Sequence, residues 1–439
     1  MKTNSILHTF IKYVSTNILG MIGLSCYILA DTFFIARGVG PDGLTALNLA
    51  IPVYSFINGL GLMIGMGGAT RYSISEGNGE KETRKTIFTQ ALFFVLILAT
   101  AFFLIGLLLP YQLAALLGAD AAILPLSGVY LRILLLFAPM FMLNNLLLCF
   151  VRNDGKPQLS MTAMLLGSLS NVILDYVFVF PLGLGMAGAA VATGIAPIVS
   201  ILILSRHFIR KENQFHLHRT RISFKRMLDI SALGVSSLIV EVSSGVVIII
   251  FNILILKDSG NLGVAAYGIL ANIALVLISI FTGISQGIQP ILSSCFGKRE
   301  TQDIKTVLRY ALTASVLFAL VSYGVTYIFS DGIVELFNKE HNTELREIAV
   351  KGMHIYFTGF LFIGINIISA VYFSSIDKPR QAFLISCLRG FLLVIPLAFL
   401  LSSFLGLTGI WLTVPVAEGL VMLLSVTMLF RFRNFTKGR

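Results

Sequence analysis

The sequence predicts an all-α integral membrane protein with twelve transmembrane helices in two six-helix lobes. Three observations carry that reading. Of 439 residues, 56% are hydrophobic and only 12% are charged, against about 25% charged in a soluble domain. Apolar runs follow one another with little between them, each about 20 residues or longer, enough to cross a ~30 Å hydrocarbon core. The chain also repeats itself. A soluble protein with an unusually hydrophobic core does not place span after span in this way.

Helical apolar stretches are predicted over 11–36, 44–70, 86–109, 124–150, 159–181, 186–207, 228–256, 263–293, 306–329, 346–374, 381–403 and 406–430. The first is long and carries no A-x-A-like site, so it reads as span 1 and not as a cleaved signal. Span 2 is crowded with Gly59, Gly61, Gly65, Gly67 and Gly68, the small-residue spacing that lets helices approach closely. The G-x-G within it follows no strand and is no dinucleotide fingerprint. Lys156-Pro157 opens span 5 and Lys378-Pro379 opens span 11. Connections are short except 208–227 and 330–345.

The repeat supports two halves. Gly43-Leu-Thr-Ala46 answers Gly263-Val-Ala-Ala266. At the same separation Gly67 answers Gly287, Gly77 answers Gly297 and Glu80 answers Glu300. Later, Leu184-Gly185-Met-Ala-Gly188 answers Leu405-Gly406-Leu-Thr-Gly409. An N-lobe over 1–215 and a C-lobe over 216–439 are therefore expected. Six spans each give the halves one orientation, related by a pseudo-two-fold axis along the membrane normal, a recurrent transporter architecture.

The net charge is +11, and its distribution is that of a membrane protein, not of a nucleic-acid binder. With the N-terminus inside, about 25 Lys and Arg fall on the inner side and about 5 outside. The densest cluster is Arg206, Arg210, Lys211, Arg219, Arg221, Lys225 and Arg226 in the middle connection, a stretch suited to anionic lipid. The acidic stretch with Asp331, Glu335, Glu340 and Glu344 falls outside. Both termini are then cytoplasmic. Cys26, Cys149, Cys295 and Cys387 all lie in apolar stretches and form neither a disulfide framework nor a metal-spaced set. His216-x-His218 sits in the basic connection as a solvated pair. No cofactor is expected.

Six ionisable residues interrupt the spans: Asp31, Arg132, Asp175, Glu241, Arg389 and Glu418. A charge at helix-centre depth costs about 2.5–3.5 kcal/mol on insertion scales, so each calls for a use. Direction and the 1.5 Å rise per residue give depth. Asp31 falls near the outer end of span 1. Asp175 falls in the outer half of span 5, with Asn171 four residues earlier on the same face. Thr193 falls in the outer half of span 6. Two carboxylates, an amide oxygen and a hydroxyl at one level make a hard oxygen site for a proton or a small cation such as Na⁺. The structural alternative is an Asp bonded to a neighbouring Asn or Thr. Glu241, near the middle of span 7, has no basic residue within two turns. Arg132 and Arg389 read as snorkelling or as paired with an acid.

These motifs resemble the multidrug and toxic compound extrusion (MATE) transporters, in the branch of bacteria and archaea, over nearly the whole chain. The resemblance is carried by Asp31-Thr-Phe-Phe-Ile-Ala-Arg-Gly38, Gly43-Leu-Thr-Ala-Leu47, Gly65-Met-Gly67-Gly68, Asn171-Val-Ile-Leu-Asp175 and Leu184-Gly185-x-x-Gly188-Ala189. It implies two lobes facing a central cavity and export of organic cations, drugs and dyes against inward H⁺ or Na⁺. It implies an N-lobe cation site at Asp31, Asn171, Asp175 and Thr193, with Glu241 as the second-lobe candidate. The chain departs from the family in three places. Span 1 has no proline, leaving Gly20 and Gly23 as its flexible points. Span 10 has no acid beyond Glu347 at its edge. Tyr176 follows Asp175 where relatives often have proline.

The expected function is therefore a secondary active multidrug antiporter driven by H⁺ or Na⁺, working as a monomer among membrane lipids. Tyr54, Asn58, Asn144 and Asn145 are candidates to hold a flat organic cation by cation–π contact and hydrogen bonds, with helix packing as their alternative use. A flippase for lipid-linked intermediates is the second reading, and it wants a strongly basic cavity. A membrane-embedded enzyme lacks its motifs here: there is no H-E-x-x-H, no Cys/His metal spacing and no phosphate loop. A receptor would not explain the duplication.

Overall fold

The computed structural model describes residues 3–338 and 341–435, so Glu340 lies outside the described residues. Every regular element among the described residues is helical. Ten apolar segments are long enough to span a membrane when Leu124–Leu136 and Ala138–Asn153, bent by 45°, are taken as one. Two of the ten hold two crossings each. Phe224–Gly297 breaks at Gly260 (φ 62°, ψ −159°), and Pro379–Arg431 breaks at Gly406 (φ 55°, ψ −135°). Glycine adopts these angles without a Cβ clash, which lets one span turn into the next. The described residues thus make the twelve crossings the sequence predicts.

The duplication is written into the backbone. Gly40 at φ 92° answers Gly260 at 62°, Gly155 at 86° answers Asp377 at 58°, and Gly79 at 74° answers Arg299 at 61°. Lys156 (φ −116°, ψ 56°) answers Lys378 (φ −122°, ψ 61°). Each stands before a proline, which pushes the preceding residue out of the helical region. The bend of span 4 at Phe137 answers a 3₁₀ turn, Phe357–Gly359, in span 10.

The chain packs as two compact units. The first holds Ser15–Val242 with Ser293–Arg299. Its core includes Ile35, Ile57, Ile64, Leu131, Leu146 and Phe150. The second holds residues through Val14, Ser243–Leu292 and Glu300 onward, around Phe251, Leu270, Phe281, Phe357, Phe360 and Trp411. The first part of span 7 therefore packs with spans 1–6. Two glycines permit it: a Cβ on Gly67 would strike the carbonyl of Ile230, and one on Gly234 the carbonyl of Met63. Arg71 and Asp229 close that seam with an ion pair at 2.5 Å.

Both long connections are ordered by tertiary contacts or helix. The stretch 330–345 contains a helix, Ser330–Phe337, and span 10 begins at Thr343. Its eight residues are too few to cross a membrane. Span 6 runs to Ile209 and span 7 begins at Phe224. The strap between them is pinned to the first unit. Gln214 N donates to Asp154 Oδ2 at 2.8 Å, His218 N to Thr89 Oγ1 at 3.0 Å and Ser223 N to Gln90 Oε1 at 3.0 Å. Phe215 is buried among Tyr72, Phe88, Phe150 and Phe208. Lys156 binds Glu212 at 2.9 Å and holds that carboxyl below its ordinary range.

Candidate functional site

Three helices of the first unit meet at one level because their contact faces are small. Span 1 (Thr3–Gly38) lies parallel to span 5 (Pro157–Val179). A Cβ on Gly20 would stand 3.0 Å from Met164 Sδ, one on Gly23 2.6 Å from Leu165 Cδ2, and one on Gly38 would strike Val179. Gly20 and Gly23 are thus seats for span-5 side chains, and span 1 is an uninterrupted helix through them. Span 6 (Gly185–Ile209) runs antiparallel to span 5. Gly167 there sits 3.1 Å, by its Cβ position, from the carbonyl of Ala196.

These contacts bring the expected quartet together. Asp31 is 7% exposed, Thr193 5%, and Asn171 and Asp175 are fully buried. The Asp31 and Asp175 carboxyls lie within hydrogen-bonding reach of each other. In the amide orientation that satisfies both its ends, Asn171 donates to Asp175 Oδ2 at 3.0 Å and accepts from Thr193 N at 3.3 Å. Thr193 Oγ1 donates to the carbonyl of Ala189 at 3.0 Å. Asp31 Oδ1 and Asp175 Oδ1 are buried with no hydrogen-bond donor. A buried acceptor without a donor costs about 1–3 kcal/mol, more when it is charged. Two facing carboxylates in a dry site do not both stand bare. The Asn171 amide is spent on Asp175 and Thr193, so the oxygens left open are Asp31 Oδ1 and Asp175 Oδ1, the kind that take a proton or a hard cation.

Tyrosines that the sequence reading passed over line the site. Tyr130, from the bent span 4, is buried beside Thr193 and the two aspartates. Tyr27, one turn before Asp31, shares a 2.9 Å hydrogen bond with Tyr54 of span 2. Tyrosine in an apolar helix reads as packing, and only its i,i+4 relation to Asp31 marks Tyr27 out.

The remaining candidates fall into two groups. Glu241 was expected to serve the second lobe. It lies in the first unit, where Oε2 accepts from Asn58 Nδ2 at 3.4 Å. Asn145 Nδ2 donates to Asn58 Oδ1 at 2.7 Å, Tyr54 packs edge-on to Phe141 at 5.4 Å, and Asn144 Oδ1 is buried without a donor. In the second unit Glu418 is matched. Its Oε1 takes Arg389 Nη2 at 2.8 Å and Nε at 3.2 Å. Its Oε2 takes Asn366 Nδ2 at 2.7 Å, and Asn366 Oδ1 accepts from Ser425 at 2.9 Å. Arg389 sits in a π-helical turn, Leu388–Leu392. Arg132 is exposed.

Described residues that are helical in every regular element, with twelve crossings and a buried oxygen-lined site, have the architecture of a membrane transporter. The MatE family profile matches residues 17–177 and 234–400. The chain belongs to this family. It is 26% identical over 412 residues to "Multidrug export protein MepA" of Staphylococcus saprophyticus, covering 93% of this chain and 90% of that protein. It is 26% identical over 435 residues to the protein of that name in Staphylococcus haemolyticus, covering 98% and 95%. Its fold is similar to an outward-facing MATE family multidrug resistance transporter of the MOP superfamily, at TM-score 0.92 and 21% identity, over 100% of this chain and 99% of the other.

Proposed function

We propose that this chain is a secondary active multidrug exporter of the bacterial inner membrane, with cytoplasmic termini, that moves lipophilic, mostly cationic compounds out in exchange for inward H⁺ or Na⁺. The observation that carries this reading is the Asp31–Asp175 pair, buried, facing, and short of one donor on each side. An entering ion supplies what those oxygens lack. It stabilises the arrangement in which spans 1, 5 and 6 stay closed around it. Substrate favours the other arrangement, and each lowers affinity for its rival by linkage through two states. The family membership and the relatives named as multidrug export proteins support the substrate class. The flippase reading loses ground, because Arg389 is committed to Glu418.

The test is ethidium efflux from proteoliposomes holding wild type or Asp175→Asn, with pH and Na⁺ gradients imposed separately. Wild type should extrude dye under one gradient, which names the ion, and the variant under neither. Normal efflux by the variant would contradict the coupling assignment. Failure of wild type under both gradients would bring the flippase reading forward.

A further inference from the structure

We propose that the Tyr27–Tyr54 hydroxyl pair links the Asp31–Asp175 site to Glu241, so that ion occupancy at the aspartates sets how strongly Glu241 holds a cationic substrate. This rests on the coupling reading above and adds to it a second carboxylate and the route between the two.

The route is a chain of near neighbours within one compact unit. Asp31 follows Tyr27 by four residues, on the same face of span 1. Tyr27 Oη lies 2.9 Å from Tyr54 Oη, across to span 2. Asn58 follows Tyr54 by four residues, again on one face. Its amide reaches Glu241 on span 7 at 3.4 Å. Asn145 fixes that amide by donating to its oxygen at 2.7 Å. Tyr54 has both Asp31 and Glu241 as charged neighbours. The groups facing Asp31 are Asp175, Tyr27, Tyr54 and Tyr130. The partner facing Glu241 is Asn58. No cation of the protein faces either acid among these contacts.

A tyrosine hydroxyl carries one proton. Two tyrosines bonded to each other therefore keep one donor for the outside, at one end of the pair or the other. While the aspartate pair keeps one net charge, the donor is drawn toward Asp31, and Tyr54 donates to Tyr27. Glu241 then holds only Asn58, and its charge is available to an organic ammonium. When an ion neutralises the aspartates, that pull is gone. The pair reverses, Tyr27 donates to Tyr54, and the free donor turns toward the Glu241 end. The field Glu241 presents to a cationic substrate weakens. Hydroxyl rotation is the whole step, and no covalent bond is made or broken. Linkage is reciprocal, so bound substrate equally weakens ion binding at the aspartates. That is the relation an antiporter requires between its two ligands.

The experiment measures ethidium affinity of the purified full-length protein in detergent, with and without a saturating concentration of the ion that drives efflux. The readout is the ratio of the two dissociation constants. Wild type should show a ratio of about tenfold. Tyr54→Phe, Tyr27→Phe and the double variant should each lower it to about twofold, with the double no worse than either single, because one link is cut once. Packing damage would add instead. A wild-type ratio in both single variants overturns the link. If Asp31→Asn also keeps the full ratio, or wild type is indifferent to both ions, the coupling reading itself fails and the link with it. Loss of the ratio in Asp31→Asn alone, with both tyrosine variants intact, leaves the coupling site standing and removes only the link.

Discussion

Each compact unit buries an acid among apolar helices, and the surroundings differ. In the first, Asp31 faces Asp175, and each keeps an oxygen without a donor. In the second, Glu418 takes two nitrogens of Arg389 and the amide of Asn366. An acid facing an acid has room for an exchangeable ion. An acid with its own guanidinium already holds a cation, and that cation cannot leave. The comparison teaches that partner, not depth, decides what a membrane carboxylate does.

The comparison can be broken from either side. The largest effect belongs to Arg389→Leu, which strands Glu418. Breaking a buried pair by removing one partner costs about 3–5 kcal/mol. Folded yield and melting temperature in detergent should fall sharply. Adding Glu418→Leu should recover most of that loss, since replacing a whole buried pair by apolar residues is often neutral. No recovery would mean the pair does more than hold helices together. In the first unit the same logic gives the opposite pattern. Asp175→Asn should leave melting temperature unchanged or raised, because it removes a facing charge, while ion-driven efflux disappears.

A middle-sized effect tests how the aspartates come to meet. Gly23→Leu puts a side chain where Leu165 sits 2.6 Å from the Cβ position. Overpacking costs about 1–3 kcal/mol, and the displaced span 1 carries Asp31 with it. Efflux should fall more than folded yield does. An equal fall in both would make Gly23 a packing residue with no bearing on the site. The smallest effect is Ser425→Ala, which removes one hydrogen bond to Asn366, worth about 0.5–1.5 kcal/mol. Efflux should stay within twofold of wild type, and a coupling defect there would assign the second unit a part in transport.

Much of this was legible in the sequence because membrane chemistry writes strongly. Asp175 and Asn171 declare themselves by standing four apart in an apolar span, and depth alone brings Asp31 and Thr193 to their level. The duplicated Lys-Pro and Gly signatures reappear as matched backbone angles. What stayed hidden was lateral placement. Depth does not say which helix faces which, so Glu241 was assigned by chain order to the second half, while Gly67 and Gly234 seat span 7 against span 2. Tyr27, Tyr130 and Asn366 look like packing until a partner from another helix stands beside them. The helix Ser330–Phe337 and the pinned strap escaped because their order comes from tertiary contacts, not from apolar length.

The most direct measurement sets the two acids side by side: proton- and Na⁺-driven ethidium efflux from proteoliposomes of Asp175→Asn and of the double variant Arg389→Leu/Glu418→Leu. The aspartate variant should move no dye under either gradient, and the double variant should retain efflux under the gradient that drives wild type. Efflux by the aspartate variant, with none by the double variant, would place ion coupling in the second unit and contradict the account.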